Sequence, residues 1–105
     1  MRKVKITVLR RTTMDELINE YGGAELGICD FHKEGQVYYC NNGWRKPDGL
    51  CDNAWKAMME YVMALAHGGS NFYNGWLNEP NMAIISCNDG LRPVIFKIEV
   101  AEDNQ

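Results

Sequence analysis

The sequence predicts an α+β domain: a small, mainly antiparallel sheet of about four strands, one long central helix and one short helix. Three observations lead there. From Lys3 to Leu9, apolar Val4, Ile6 and Val8 alternate with Lys3, Lys5 and Thr7, the period of a strand with one buried face. The stretch Gly49 to Gly69 starts and stops like a helix and is apolar on more than one side. Two further apolar runs, Met82 to Cys87 and Val94 to Val100, bracket Asn88-Asp89-Gly90, a strong hairpin signal.

The first strand leads to a short helix. Thr12 or Thr13 is expected to cap it, with Glu16 completing a capping box three residues after Thr13, and Gly22-Gly23 to end it. Ala24 to Gly35 shows no period and is read as a loop against the core, carrying Cys29, Phe31 and His32. Val37 to Cys40 is a short strand, Asn41-Asn42-Gly43 a turn, and Trp44 to Gly49 a polar connector.

Cys51 or Asp52 is the expected N-cap of the central helix. Ala54, Met58, Tyr61, Val62 and Leu65 make one apolar stripe, and Trp55, Met59 and Met63 a second beside it. That arc is wider than a helix lying on one sheet requires, so the second stripe calls for another cover. An Asn- and aromatic-rich loop follows, with Phe72, Tyr73 and Trp76, and loops of that length are more often functional than idle. The nearly all-apolar Met82 to Cys87 reads as an interior strand buried on both faces. Pro93 lacks an amide hydrogen, which predicts an edge or bulge at the start of the last strand.

The 105 residues read as a single domain whose 46% hydrophobic content suffices for one core, with a frayed tail from about residue 102. A net charge of -3 with scattered basic residues lacks the clustered positive field of a nucleic-acid groove, so no nucleic-acid partner is expected. No membrane partner is expected either, since no run approaches the about 20 apolar residues of a span. The opening residues lack the continuous apolar region of a signal peptide, which predicts a cytoplasmic location. In that compartment Cys29, Cys40, Cys51 and Cys87 are read as thiols before disulfides, and none forms a Cys-x-x-Cys pair.

Cys51 is the best candidate for chemistry, because a helix N-terminus can lower a thiol pKa. The competing role is a half-buried small hydrophobe. Cys29 and His32 have a spacing that could share a metal, but a closed site needs four ligands and Cys51, Cys87 and His67 join them only by distant folding, so no metal or cofactor is assigned. Without one, Cys29 is a buried thiol beside a surface imidazole, and Cys40 and Cys87 are core residues on strands. His67, in the last helical turn, complements the dipole there. Asp89 and Arg92 are expected to pair across the Gly90 turn, or to present an Arg fork to an anion. Trp55 completes the candidate binding set.

Lys3-Val4-Lys5-Ile6-Thr7-Val8-Leu9, Glu20-Tyr21, Gly35-Gln36, Gly49-Leu50-Cys51, Ala54-Trp55, Gly68-Gly69 and Asp89-Gly90-Leu91-Arg92-Pro93-Val94-Ile95-Phe96-Lys97 together resemble a family of uncharacterised bacterial proteins of about one hundred residues, largely from anaerobes. The resemblance implies no activity, cofactor or substrate. It does imply a thiol pattern in which Cys29, Cys51 and Cys87 are family-like and Cys40 is peculiar to this chain. Gly22 and Ser86 stand where relatives carry further cysteines, which weakens a metal site. The leading expectation is a self-associating binding or accessory module, a homo-oligomer using the second helical stripe and the aromatic loop. The rivals are a thiol-dependent redox or metal-binding protein using Cys51 with Cys29 and Cys87, and a small-molecule enzyme with a pocket under residues 71–78.

Overall fold

The computed structural model describes residues 1–42 and 44–101. Among these the elements run β1 (Val4–Arg11), α1 (Asp15–Tyr21), β2 (Val37–Cys40), α2 (Asp52–Ala66), β3 (Met82–Ser86) and β4 (Val94–Val100). Gly43 of the expected Asn41-Asn42-Gly43 turn and the expected frayed tail from about residue 102 lie outside the described residues.

The strands form one fully antiparallel sheet in the order β2-β1-β4-β3. Alternation decides its buried face. Val4, Ile6 and Val8 stand opposite Val100, Ile98 and Phe96, and α2 covers this side with Ala54, Met58, Val62 and Leu65. Phe96, Ile6, Ile98 and Met58 are fully enclosed, each burial stabilising by about 1.5–3 kcal/mol. The opposite face carries Lys5, Tyr39, Ile84, Lys97 and Glu99, and among the described residues no helix lies over it. Helix α1 buries no residue and lies on the surface.

The register of β1 against β4 shifts between Val8 and Arg10, with Leu9 as the extra residue of a bulge. An extra residue reverses the alternation beyond it. Arg11, not Arg10, therefore faces the same side as its partner Val94, and Arg11 Nη1 donates to the Cys29 carbonyl at 3.1 Å. The bulge thus fastens the 22–36 loop to the sheet.

The C-terminal end of α2 is closed in a Schellman arrangement. Gly69 N–H reaches the Ala64 carbonyl at 2.7 Å and Gly68 N–H the Leu65 carbonyl at 3.3 Å, with Gly68 at φ +101°. The cation at this end is Arg2, whose Nε donates to the Leu65 carbonyl at 2.9 Å and Nη2 to the Gly69 carbonyl at 3.1 Å. His67 is the exposed C-cap residue of the same end.

Two further expectations are corrected, and one is resolved between its alternatives. Strand β3 is an edge strand, because the chain returns through β4 to pair with β1, and Ile84 is 41% exposed because it shares the uncovered face with Lys97; an apolar run marks burial on both faces only when a layer packs over each. By the same topology β4 is interior and not an edge, while the expected bulge is present beside its start, where Val8 and Arg10 of β1 stand opposite Phe96 and Ile95; Pro93 sits just before the strand, its carbonyl accepting from Thr12 N–H at 3.0 Å. Helix α1 has Met14 at its N-cap, because Thr13 Oγ1 is turned to Asp15 Oδ1 at 2.6 Å instead of to the helix amides.

Candidate functional site

The N-terminal end of α2 opens on a cavity of about 280 Å³. Its floor is built from β4 through Val94 and Phe96, and from Ala54 of the first helical turn. The loop before β2 contributes Cys29, Asp30, Phe31 and His32; the helix start contributes Cys51 and Asn53; the β3–β4 connection contributes Cys87, Asp89 and Arg92. Cys29, Cys51 and Cys87 therefore line one cavity. Each is a free thiol and each is half-buried. Cys87 lies one residue beyond β3, half-buried against the core and not within it: its Sγ accepts from Val94 N–H at 3.3 Å, while its own N–H donates to the Val94 carbonyl at 2.9 Å.

His32 differs most from expectation. It is 1% exposed, not a surface imidazole, and packs edge-on against Phe31, Tyr38 and Phe96. Cys51 N–H donates to its Nε2 at 3.2 Å, which requires the ring lone pair on Nε2 and the hydrogen on Nδ1. Nδ1 stands 3.1 Å from both Gln36 Oε1 and Tyr38 Oη. Gln36 Oε1 also accepts from Lys33 N–H at 3.0 Å, which identifies it as the carbonyl oxygen and an acceptor for Nδ1–H. Gln36 is itself held to β1, where Val8 N–H donates to its backbone carbonyl at 2.9 Å. The imidazole thus satisfies an amide that the helix start leaves open, and anchors Cys51 through its backbone.

Both ring nitrogens of His32 are used within the protein, leaving no lone pair for a ligand. Among the described residues no three of His, Cys, Asp and Glu are grouped so as to hold a metal ion. The weak metal set of Cys29, His32, Cys51 and Cys87 therefore has a shared cavity but no preformed coordination geometry.

The Asp89–Arg92 pair takes its expected place. Asp89 Oδ1 accepts from the amides of Leu91 and Arg92 at 2.8 and 3.0 Å, and Oδ2 from Arg92 Nε at 3.2 Å. These contacts, led by the Leu91 amide, hold the Asp89 carboxyl below its ordinary range. With Nε so engaged, the guanidinium is oriented on the cavity wall, and its outer nitrogens donate to no acceptor among the described residues. Asp30 is the other carboxylate on the wall, exposed to solvent.

Cys40 stands apart. It is 2% exposed, its Sγ–H donates to the Asn42 and Arg45 carbonyls at 2.7 and 3.3 Å, and burial pushes its thiol pKa up. Trp55 is half-buried against the core and does not line the cavity. Around the aromatic loop, a groove of about 360 Å³ is bounded by Phe72, Tyr73, Trp76, Leu77 and β3. Tyr73, at φ +57°, stacks on Trp76 with ring centroids 4.7 Å apart, and Trp76 is 79% exposed.

Sequence reasoning did not identify Gln36, Tyr38 or Arg11 as supports of the site, because each acts through a contact distant in sequence or through a backbone group. The one available signal was the presence of His32 in a loop expected to lie against the core. No helix among the described residues is long and apolar enough to cross a membrane. Comparison with known proteins finds no matching family model, curated relative or solved structure.

Proposed function

We propose that this protein is a small thiol-dependent redox module of the cytoplasm whose working site is the cavity at the start of α2. The observation that carries the reading is the lining of one cavity of about 280 Å³ by Cys29, Cys51 and Cys87, contributed by three separate segments. Three half-buried thiols around one space can exchange with a disulfide. One thiolate attacks a disulfide sulfur and releases a thiol, and a second displaces the mixed disulfide. The protein loses two hydrogens, and the substrate disulfide gains them.

The test is reaction of reduced protein with one equivalent of 4,4′-dithiodipyridine. A working dithiol releases both thiopyridone groups, and the protein mass falls by about 2 Da, the two hydrogens lost on forming a disulfide. Cys51→Ser removes that fast reaction and Cys40→Ser leaves it intact. Separate, slow adduct formation at each thiol, with no loss of about 2 Da, would remove the proposal.

Self-association is a second reading, supported by the exposed Tyr73–Trp76 stack beside the edge strand β3, which contains no charged residue. Exposed edges and large apolar rings are commonly covered by another chain. On this reading light scattering at tens of micromolar, roughly the range for weak oligomers, gives a dimer mass that Trp76→Ala reduces. A monomer for both proteins would refute it.

A further inference from the structure

We infer that the cavity takes small disulfides bearing a carboxylate, with Arg92 binding the carboxylate while Cys51 attacks the disulfide sulfur. The inference rests on the redox reading above and adds a substrate class to it. Three observations on the cavity wall support it. The Arg92 guanidinium is held by Asp89 through Nε, at 3.2 Å, so the paired outer nitrogens that match a carboxylate face remain available. Asp89 is committed to its own turn, accepting from two backbone amides as well as from Arg92, so it directs the guanidinium without capping its outer edge. The cavity floor of Val94, Phe96 and Ala54 is apolar, which suits the short carbon chain between a carboxylate and a sulfur. A volume of about 280 Å³ admits a substrate of this size.

The chemistry balances without a further reactant. Cys51 sulfur, as thiolate, attacks one sulfur of R–S–S–R, forming Cys51–S–S–R and releasing R–S⁻, which takes up a proton. A second cavity thiolate, from Cys29 or Cys87, then attacks the Cys51 sulfur. The protein disulfide forms and the second R–S⁻ leaves. Two protein thiols are oxidised and one substrate disulfide is reduced to two thiols.

A charge series tests the assignment. Reduced protein is mixed with 3,3′-dithiodipropionate (anionic), bis(2-hydroxyethyl) disulfide (neutral) and cystamine (cationic), and oxidation is followed by mass. The net charge of -3 disfavours anions at long range, so a preference for the anion has to arise locally. The expected order is anionic, then neutral, then cationic. Arg92→Gln slows the anionic reagent by about tenfold, the scale of a lost charge-assisted hydrogen bond, and leaves the neutral one unchanged. Arg92→Lys, which keeps the charge but not the fork, falls between. If the neutral reagent oxidises the cavity and Arg92→Gln has no selective effect, or if cystamine reacts fastest, this inference is overturned while the redox reading stands. If no reagent gives the protein disulfide, the redox reading itself falls.

Discussion

Replacing His32 by alanine tests the link between the fold and the cavity. The change leaves Cys51 N–H without its acceptor, a cost of about 1–2 kcal/mol for a partly buried amide. It also removes a ring enclosed by Phe31, Tyr38 and Phe96. The lost edge-on contacts and the void add about 2 kcal/mol. Together these predict a loss of about 3–4 kcal/mol, or about 15–20 °C in Tm for a domain of this size. Thermal and urea unfolding measure the loss. Two conservative variants separate packing from hydrogen bonding. His32→Gln can place an oxygen where Nε2 stands and keep the bond to Cys51, whereas His32→Asn can keep only a donor near Nδ1. Amide exchange at Cys51, followed by NMR, should therefore stay slow in His32→Gln and accelerate in His32→Asn. Equal exchange in the two variants, or a loss below about 1 kcal/mol in His32→Ala, would refute the anchoring role.

Other predictions concern the thiols, the hairpin and the helix end. Cys40 should be the last thiol alkylated in peptide-mapped labelling, since burial raises its pKa. A raised thiol pKa stabilises the fold below the unfolded value of about 8.5, and that contribution is lost as pH rises through the folded value; Cys40→Ala should remove this part of the alkaline instability. For Asp89 the sign is reversed. Its depressed pKa stabilises above the unfolded value of about 3.9 and is lost as pH falls through the folded one, so Asp89→Asn should flatten the acid limb of stability. The effect should be below about 1 kcal/mol, because the carboxylate is part-exposed and screened. Gly69→Ala should destabilise by about 1–3 kcal/mol in urea unfolding, because its Cβ would stand 2.8 Å from the Ala64 carbonyl oxygen.

Elements with a strong local signature were legible in the sequence. Val37 to Cys40 matches β2, and Cys51 is the N-cap of α2, because strand alternation and helix boundaries are written in neighbouring residues. Errors arose where partners are distant. Met82 to Cys87 has an apolar composition that fits either an edge or an interior strand, and only the pairing of β4 with β1 places it at the edge. His32 was misplaced for a related reason: its burial depends on an amide at Cys51, nineteen residues away by number. Cys29, Cys51 and Cys87 could be singled out, yet their convergence on one cavity follows from topology alone. The bulge at Leu9 leaves no mark in the alternation of Val4, Ile6 and Val8, and it decides which arginine reaches Cys29.

The central position of β4 bears on how the chain emerges from the ribosome. β1 and β2 can pair early, but β3 has no strand partner except β4, and the cavity has no floor until Val94 and Phe96 arrive. At about 5–20 residues per second, Cys29 and Cys51 would wait several seconds in an unfinished chain. During that interval they are open to oxidation and to mispairing with Cys40, whose protection also depends on folding. A reducing environment during synthesis is thus a condition for assembling the site, and oxidative stress should damage nascent chains before finished ones.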